Sequence, residues 1–279
     1  MEIHGLLIKF WIEQSLVFTE NWRVARNRPA KKAVHDLRVS VKKLKSCLSL
    51  LSAVYADREP MKFVLVQQLF RVTGKFRDID NCITLLAKIF RKDQRRLESF
   101  EKYLQTLRSI TRRMSKESAQ LPLEEELGGI TTRFNFLLSE MPAGELGHRA
   151  SKEAQALFYG VKDLIKEGDK QAHEIRKRLK RLYYWLSLFP ENPVFDLKYM
   201  KTLDQSLKAL GEWHDHFVLG AHIRDYRKDF LVKETPDYAL ARELEKIINT
   251  AQGNHLSIAY QRINILFNAA NRRATHTSS

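Results

Sequence analysis

Apolar residues recur at three- and four-residue spacing along almost the whole chain, and nowhere does a run of alternating apolar and polar positions read as a strand. Proline and glycine fall where that periodicity breaks. The pattern predicts helices over about 3–26, 29–56, 60–74, 78–92, 94–120, 123–140, 145–167, 169–189, 196–210, 215–232 and 236–270. Pro29 reads as a first-turn proline, and Pro60, Pro122, Pro142, Pro190, Pro193 and Pro236 mark turns. The chain is expected to be all-α.

Two of these helices carry more than a core face. On a helix, His35, Arg38, Lys42 and Lys45 fall within about 80° of one another, while Leu37, Val41, Leu44, Leu48 and Leu51 form a separate apolar face. Lys31 extends the cationic stripe by one turn. The arrangement returns over a hundred residues later: His173, Arg176 and Lys180 share a stripe, and Ile175, Leu179, Leu182, Leu186 and Phe189 supply the apolar face.

The return is a repeat. Val34-His35-Asp36-Leu37-Arg38 aligns with Ala172-His173-Glu174-Ile175-Arg176 at a spacing of 138, as does Lys42-Lys43-Leu44 with Lys180-Arg181-Leu182. A second pair, Gly74-Lys75-Phe76-Arg77-Asp78 and Gly211-Glu212-Trp213-His214-Asp215, follows in the same order at a spacing of 137. Two ordered matches argue for duplication, with halves of about 1–142 and 143–279 meeting at Pro142-Ala143-Gly144.

Charge sharpens the meaning of the stripes. In 279 residues, 48 Lys and Arg stand against 33 Asp and Glu, a formal charge of +15. Such an excess is self-repulsive unless dispersed or met by an anion such as nucleic acid, an anionic membrane or a soluble polyanion. Like charges three and four residues apart on one helix face cost a few tenths of a kcal/mol per pair. Asp36 and Glu174 point away and cannot neutralise the stripes. Anion binding would relieve the strain, with Arg forking phosphate oxygens, Lys acting as a point charge, and His as a donor whose charge follows the ligand.

The remaining chemistry is sparse. Cys47 and Cys82 sit in apolar helical patterns, as reduced thiols do. The N-terminal segment lacks a signal-peptide pattern, and no stretch approaches a membrane span, so a soluble cytoplasmic protein is expected. A di-iron site needs Glu-x-x-His on two helices, and only Glu145 to His148 fits. Glu212, His214, Asp215 and His216 are close in sequence but point in different directions on a helix. There is no phosphate-cradling glycine loop and no nucleophile motif. Trp11, Trp22, Trp185 and Trp213 are available to stack bases, yet the first stripe interleaves no aromatic residue, as a base-reading surface would.

At these residues the sequence resembles the conserved histidine α-helical domain, or CHAD, family. The resemblance rests on His35-x-x-Arg38-x-x-x-Lys42-x-x-Lys45, His173-x-x-Arg176-x-x-x-Lys180, Gly74-x-x-Arg77-Asp78 and Gly211-x-x-His214-Asp215. It spans nearly the whole chain as a single domain of two repeats. It implies four-helix-bundle-like halves about a pseudo-twofold axis, with basic helices facing a central cavity that binds inorganic polyphosphate. Carried onto this chain, it implies polyphosphate contacts at Lys31, His35, Arg38, Lys42, Lys45, His173, Arg176 and Lys180, with Arg77 and His214 in second rank and Asp78 and Asp215 orienting cations. It further implies a non-enzymatic protein without cofactor or metal, localised to cytoplasmic polyphosphate granules. Polyphosphate-metabolising proteins are candidate partners and a membrane is not expected; the lesser rivals are a nucleic-acid-binding helical protein and a scaffold that docks an acidic protein. The Glu-x-Glu-x-Lys signature of the triphosphate-tunnel domain often fused to the family is absent, so the chain resembles the binding module alone. The second copy departs at Tyr183, where the family usually has Arg, and at Ser187, where it has an acid.

Overall fold

A computed structural model of the chain describes residues 2–27, 30–55, 58–93, 96–188 and 197–276. Among the described residues the structure is all-α: α1 (Ile3–Asn27), α2 (Lys31–Val54), α3 (Leu65–Asp93), α4 (Glu98–Ser118), α5 (Leu123–Ser139), α6 (Ala143–Lys166), α7 (Ala172–Ser187), α8 (Leu197–Phe230) and α9 (Pro236–His276), with one 3-10 turn at Asp169–Gln171. Pro29, Phe189, Pro190 and Pro193 lie outside the described residues.

Two breaks expected from the pattern do not occur. α3 runs through Gly74 to Asp78, and α8 runs through Gly211 to Asp215. A helical glycine costs only about 1 kcal/mol relative to alanine. Uninterrupted apolar stripes outweigh that: Leu69, Phe76 and Ile79 on α3, and Leu207, Leu210, Trp213 and Leu219 on α8, are buried. In the other direction, the helix expected from residue 60 begins at Leu65. Its start is set from outside, because the Glu126 carboxylate accepts from the backbone N–H groups of Val64, of Leu65 at 2.9 Å and of Val66 at 2.8 Å. A charged acceptor on the first orphan donors of a helix is a strong cap.

Other boundaries follow local chemistry. Pro122 and Pro142 immediately precede α5 and α6. α9 opens with Pro236 in its first turn, and the Thr235 hydroxyl accepts from the Tyr238 N–H at 3.3 Å. α6 ends at Lys166, and two residues on Gly168 takes a left-handed φ of 93° and donates its N–H to the Ile165 carbonyl at 3.1 Å. The chain then takes the 3-10 turn, so α7 begins at Ala172 rather than at 169.

The helices form two compact units: Met1–Gly74 with Arg112–Met200, and Lys75–Thr111 with Lys201–Ser279. Each draws on both copies of the sequence repeat. In the first, α1 packs on α2, α5 and α6, and α6 and α7 pack on each other and on α2. Trp11 lies against Phe134, with ring centroids 4.3 Å apart, and parallel to Phe63, while its indole N–H donates to Thr131 at 2.9 Å. Burying side chains of this kind stabilises by about 1.5–3 kcal/mol each. In the second unit the core is Ile79, Cys82, Leu86, Phe90, Leu97, Phe100 and Leu104 against Leu219, Ile223, Tyr226, Ala241, Leu244 and Ile248. Among the described residues no helix is long and apolar enough to cross a membrane.

Candidate functional site

The two basic helices are neighbours. α2 and α7 belong to the same unit and pack on each other. Trp185 of α7 is buried over α2, its indole N–H shared between the Ser46 carbonyl at 3.0 Å and the Ser49 hydroxyl at 3.1 Å. The apolar faces read from the sequence account for this: Leu37, Val41, Leu44, Leu48 and Leu51 on α2, and Ile175, Leu179, Leu182 and Leu186 on α7, are all buried. Burial of those faces fixes the rotation of both helices and so places the cationic stripes.

Within the stripes the side chains differ. Lys31 and His35 are exposed, and Lys42, Lys45, His173, Arg176 and Lys180 are half-buried. Arg38 is only 8% exposed. Its guanidinium lies over the Phe70 ring at 4.1 Å, with Nη1 donating to the Phe70 carbonyl and, at 3.3 Å, to the Thr73 hydroxyl. Gly74 completes the seat, since a Cβ there would stand 3.0 Å from Arg38 Nη1. The glycine of the second motif thus admits the arginine of the first. At Gly211 an added Cβ meets nothing within 4 Å.

A cleft of about 720 Å³ opens beside this contact. α2 contributes Lys45, Leu48, Ser49, Ser52 and Ala53 to its lining, residues 60–64 and α3 contribute Lys62, Gln67 and Arg71, and α7 contributes Arg181. Among the described residues, four cations line it and no carboxylate does. Lys45 donates to the Gln67 side-chain carbonyl, with its Nζ 5.6 Å from the Phe70 ring centroid. Burial, then repulsion from Arg71 and Arg181, holds its pKa below the ordinary lysine value. On α7, burial and then the Arg176 and Lys177 charges push the His173 pKa down. Glu174 spends its carboxylate on Arg178 at 3.3 Å and Lys177 at 3.7 Å.

Arg77 and His214 are half-buried and belong to the other unit. There Asp215 accepts from the Asn81 amide at 3.3 Å, and it is buried Asp80, beside the motif, that pairs with Arg108 at 2.6 Å. His216 Nδ1 donates to the Glu212 carbonyl at 2.8 Å, and Glu212 lies 3.2 Å from His255. No grouping of three or more His, Cys, Asp or Glu suited to a metal ion occurs among the described residues. Both thiols are buried, and burial, with Asp78 and Asp215 adding to it, pushes Cys82 up to about 12.

The sequence reading did not single out Arg71, Arg181, Lys62 or Gln67. Phe70 and Arg71 lie three and four residues after Gln67 and four and three before Gly74, so all four share a face of α3. All four Trp side chains are buried.

Comparison with known proteins agrees with this architecture. The CHAD domain family model matches residues 13–224. The crystal structure of the CHAD domain from the plant Ricinus communis superposes with a TM-score of 0.68 at 17% identity, covering 97% of this chain and 92% of that chain. PptA from Streptomyces chartreusis superposes with a TM-score of 0.66 at 15% identity, covering 96% and 100%. At these identities the likeness is one of fold. No curated protein matches the sequence. With the family model spanning both basic helices and both glycine motifs, the chain belongs to the CHAD domain family.

Proposed function

We propose that the protein is a non-enzymatic receptor for inorganic polyphosphate, held through the basic residues of α2 and α7, and that this places it on polyphosphate granules in the cytoplasm. The observation that carries the reading is the packing of two cationic helices in one unit beside a cleft lined, among the described residues, by Lys45, Lys62, Arg71 and Arg181 and by no carboxylate. A linear polymer with about one charge per phosphate suits such a surface, and counterion release drives its binding, by analogy with nucleic acids. Lys31, His35, Lys42, Lys45, His173, Arg176 and Lys180 are the proposed contacts, joined by Lys62, Arg71 and Arg181. Arg38 stands behind them, holding α2 to α3. Arg77 and His214 remain second-rank contacts.

All four Trp side chains are buried and so offer no face on which a base could stack. The test is competition between long-chain polyphosphate and DNA or RNA of matched charge at about 0.15 M salt, where surface attraction is already screened beyond about 8 Å. Preferential retention of polyphosphate is expected. Displacement by nucleic acid would refute the reading.

A further inference from the structure

The cleft holds an amine that polymer binding alone does not explain. Lys45 projects from α2 across the Phe70 ring and donates one N–H to Gln67. Among the described residues, the charged groups lining the cleft around it are Arg71 on α3, Arg181 on α7 and Lys62 in the connecting segment, and none of them is an acid that could hold an ammonium. Burial and the two guanidiniums therefore raise the share of neutral amine above that of an ordinary lysine, the two circumstances that make a lysine nucleophilic. Donation to Gln67 leaves the nitrogen lone pair available. The same guanidiniums are forks for a phosphate group. The nearby hydroxyls are engaged as donors: Ser49 to the Ser46 carbonyl at 2.9 Å, and Ser52 to the Leu48 carbonyl at 2.9 Å.

We propose that Lys45 is a site of covalent acylation by small acyl phosphates, which Arg71 and Arg181 draw into the cleft by their phosphate group. The amine nitrogen attacks the acyl carbon, a nitrogen–carbon bond forms, and the bond from that carbon to the bridging oxygen breaks. Phosphate leaves with the bonding pair and takes the proton released by nitrogen, so acyl phosphate and amine become amide and hydrogen phosphate. The amide keeps an N–H for Gln67 but no charge. One of the four cations lining the cleft is lost, and affinity for an anionic polymer falls. This regulatory consequence rests on the cleft being part of the polyphosphate site, and a bound polymer would in turn shield Lys45.

The test treats the full chain with acetyl phosphate and follows acetylation at each lysine by mass spectrometry. Lys45 is expected to react at least about fivefold faster than exposed Lys9 and Lys152, which lie outside the cleft. In the R71Q/R181Q variant that preference should shrink at least about threefold with acetyl phosphate, and less with a phosphate-free acetyl ester. A Lys45 rate no higher than that of the exposed lysines overturns the proposal, as does an equal preference for both donors. Excess long-chain polyphosphate separates this inference from the reading it rests on. Fast acetylation that the polymer does not slow keeps Lys45 as the acylation site and refutes the polymer site. Polymer binding without preferential acetylation does the reverse.

Discussion

Replacing Arg38 with methionine separates two roles that the family motif leaves merged, a ligand contact and a clamp between helices. The guanidinium is buried, donates from Nη1 to the Phe70 carbonyl and the Thr73 hydroxyl, and lies 4.1 Å from the Phe70 ring centroid. Hydrogen bonds from a charged donor contribute about 1.5–3 kcal/mol each, and the Thr73 bond, at 3.3 Å, belongs at the bottom of that range. The desolvated cation over the ring adds about 1–2 kcal/mol. Methionine restores apolar contact and removes the cost of burying a charge, which offsets part of the loss. A net loss of about 2–3 kcal/mol is expected, which for a protein of this size lowers Tm by about 5–10 °C. Circular dichroism melts measure it. Polyphosphate affinity of the still-folded variant at low temperature should fall less than about threefold, a change under 1 kcal/mol. Arg38→Lys sharpens the distinction, because it keeps the charge and loses the planar fork. A Tm unchanged within about 1 °C together with a tenfold loss of affinity would refute the clamp.

Further consequences are open to the same assays. Gly211→Ala should stabilise by about 0.5–1 kcal/mol through helix propensity, whereas Gly74→Ala, which crowds Arg38, should not stabilise and should lower Tm. Glu126→Ala removes the acceptor shared by three N–H groups at the start of α3 and should cost about 1–2 kcal/mol by denaturant titration. His173, His216 and His222 have pKa values lowered chiefly by burial, so below about 6.5 the unfolded chain binds more protons than the folded one. Stability should be full above that pH and fall as pH drops toward the folded values, which melts at fixed ionic strength will show. Polyphosphate affinity should move oppositely, rising as pH falls below about 6.5 because the polymer favours protonated His173, and His173→Gln should flatten the rise.

The all-α class, the apolar faces of α2 and α7 and the cationic stripes were legible because a period of 3.6 residues fixes which side chains share a face. Helix joins were less so. Glycine near a charged cluster resembles a turn, yet at Gly74 it is the only side chain small enough to seat Arg38 undisturbed. The start of α3 depends on Glu126, more than sixty residues away, which no local pattern records. The depth of Arg38 was invisible for a related reason: its angular position matches Lys42 and Lys45, and only the approach of α3 over that turn buries it. Arg71 and Arg181 join Lys45 through tertiary packing, which periodicity within one helix does not report.

The most direct test of the central claim is a calorimetric titration of long-chain polyphosphate into the wild-type chain and into an Arg71→Glu/Arg181→Glu variant. Both side chains are exposed, so the fold and Tm should hold. The account predicts tight, salt-sensitive binding by the wild type and at least about tenfold weaker binding by the variant. Equal affinity of the two proteins, or no binding by the wild type, would contradict it.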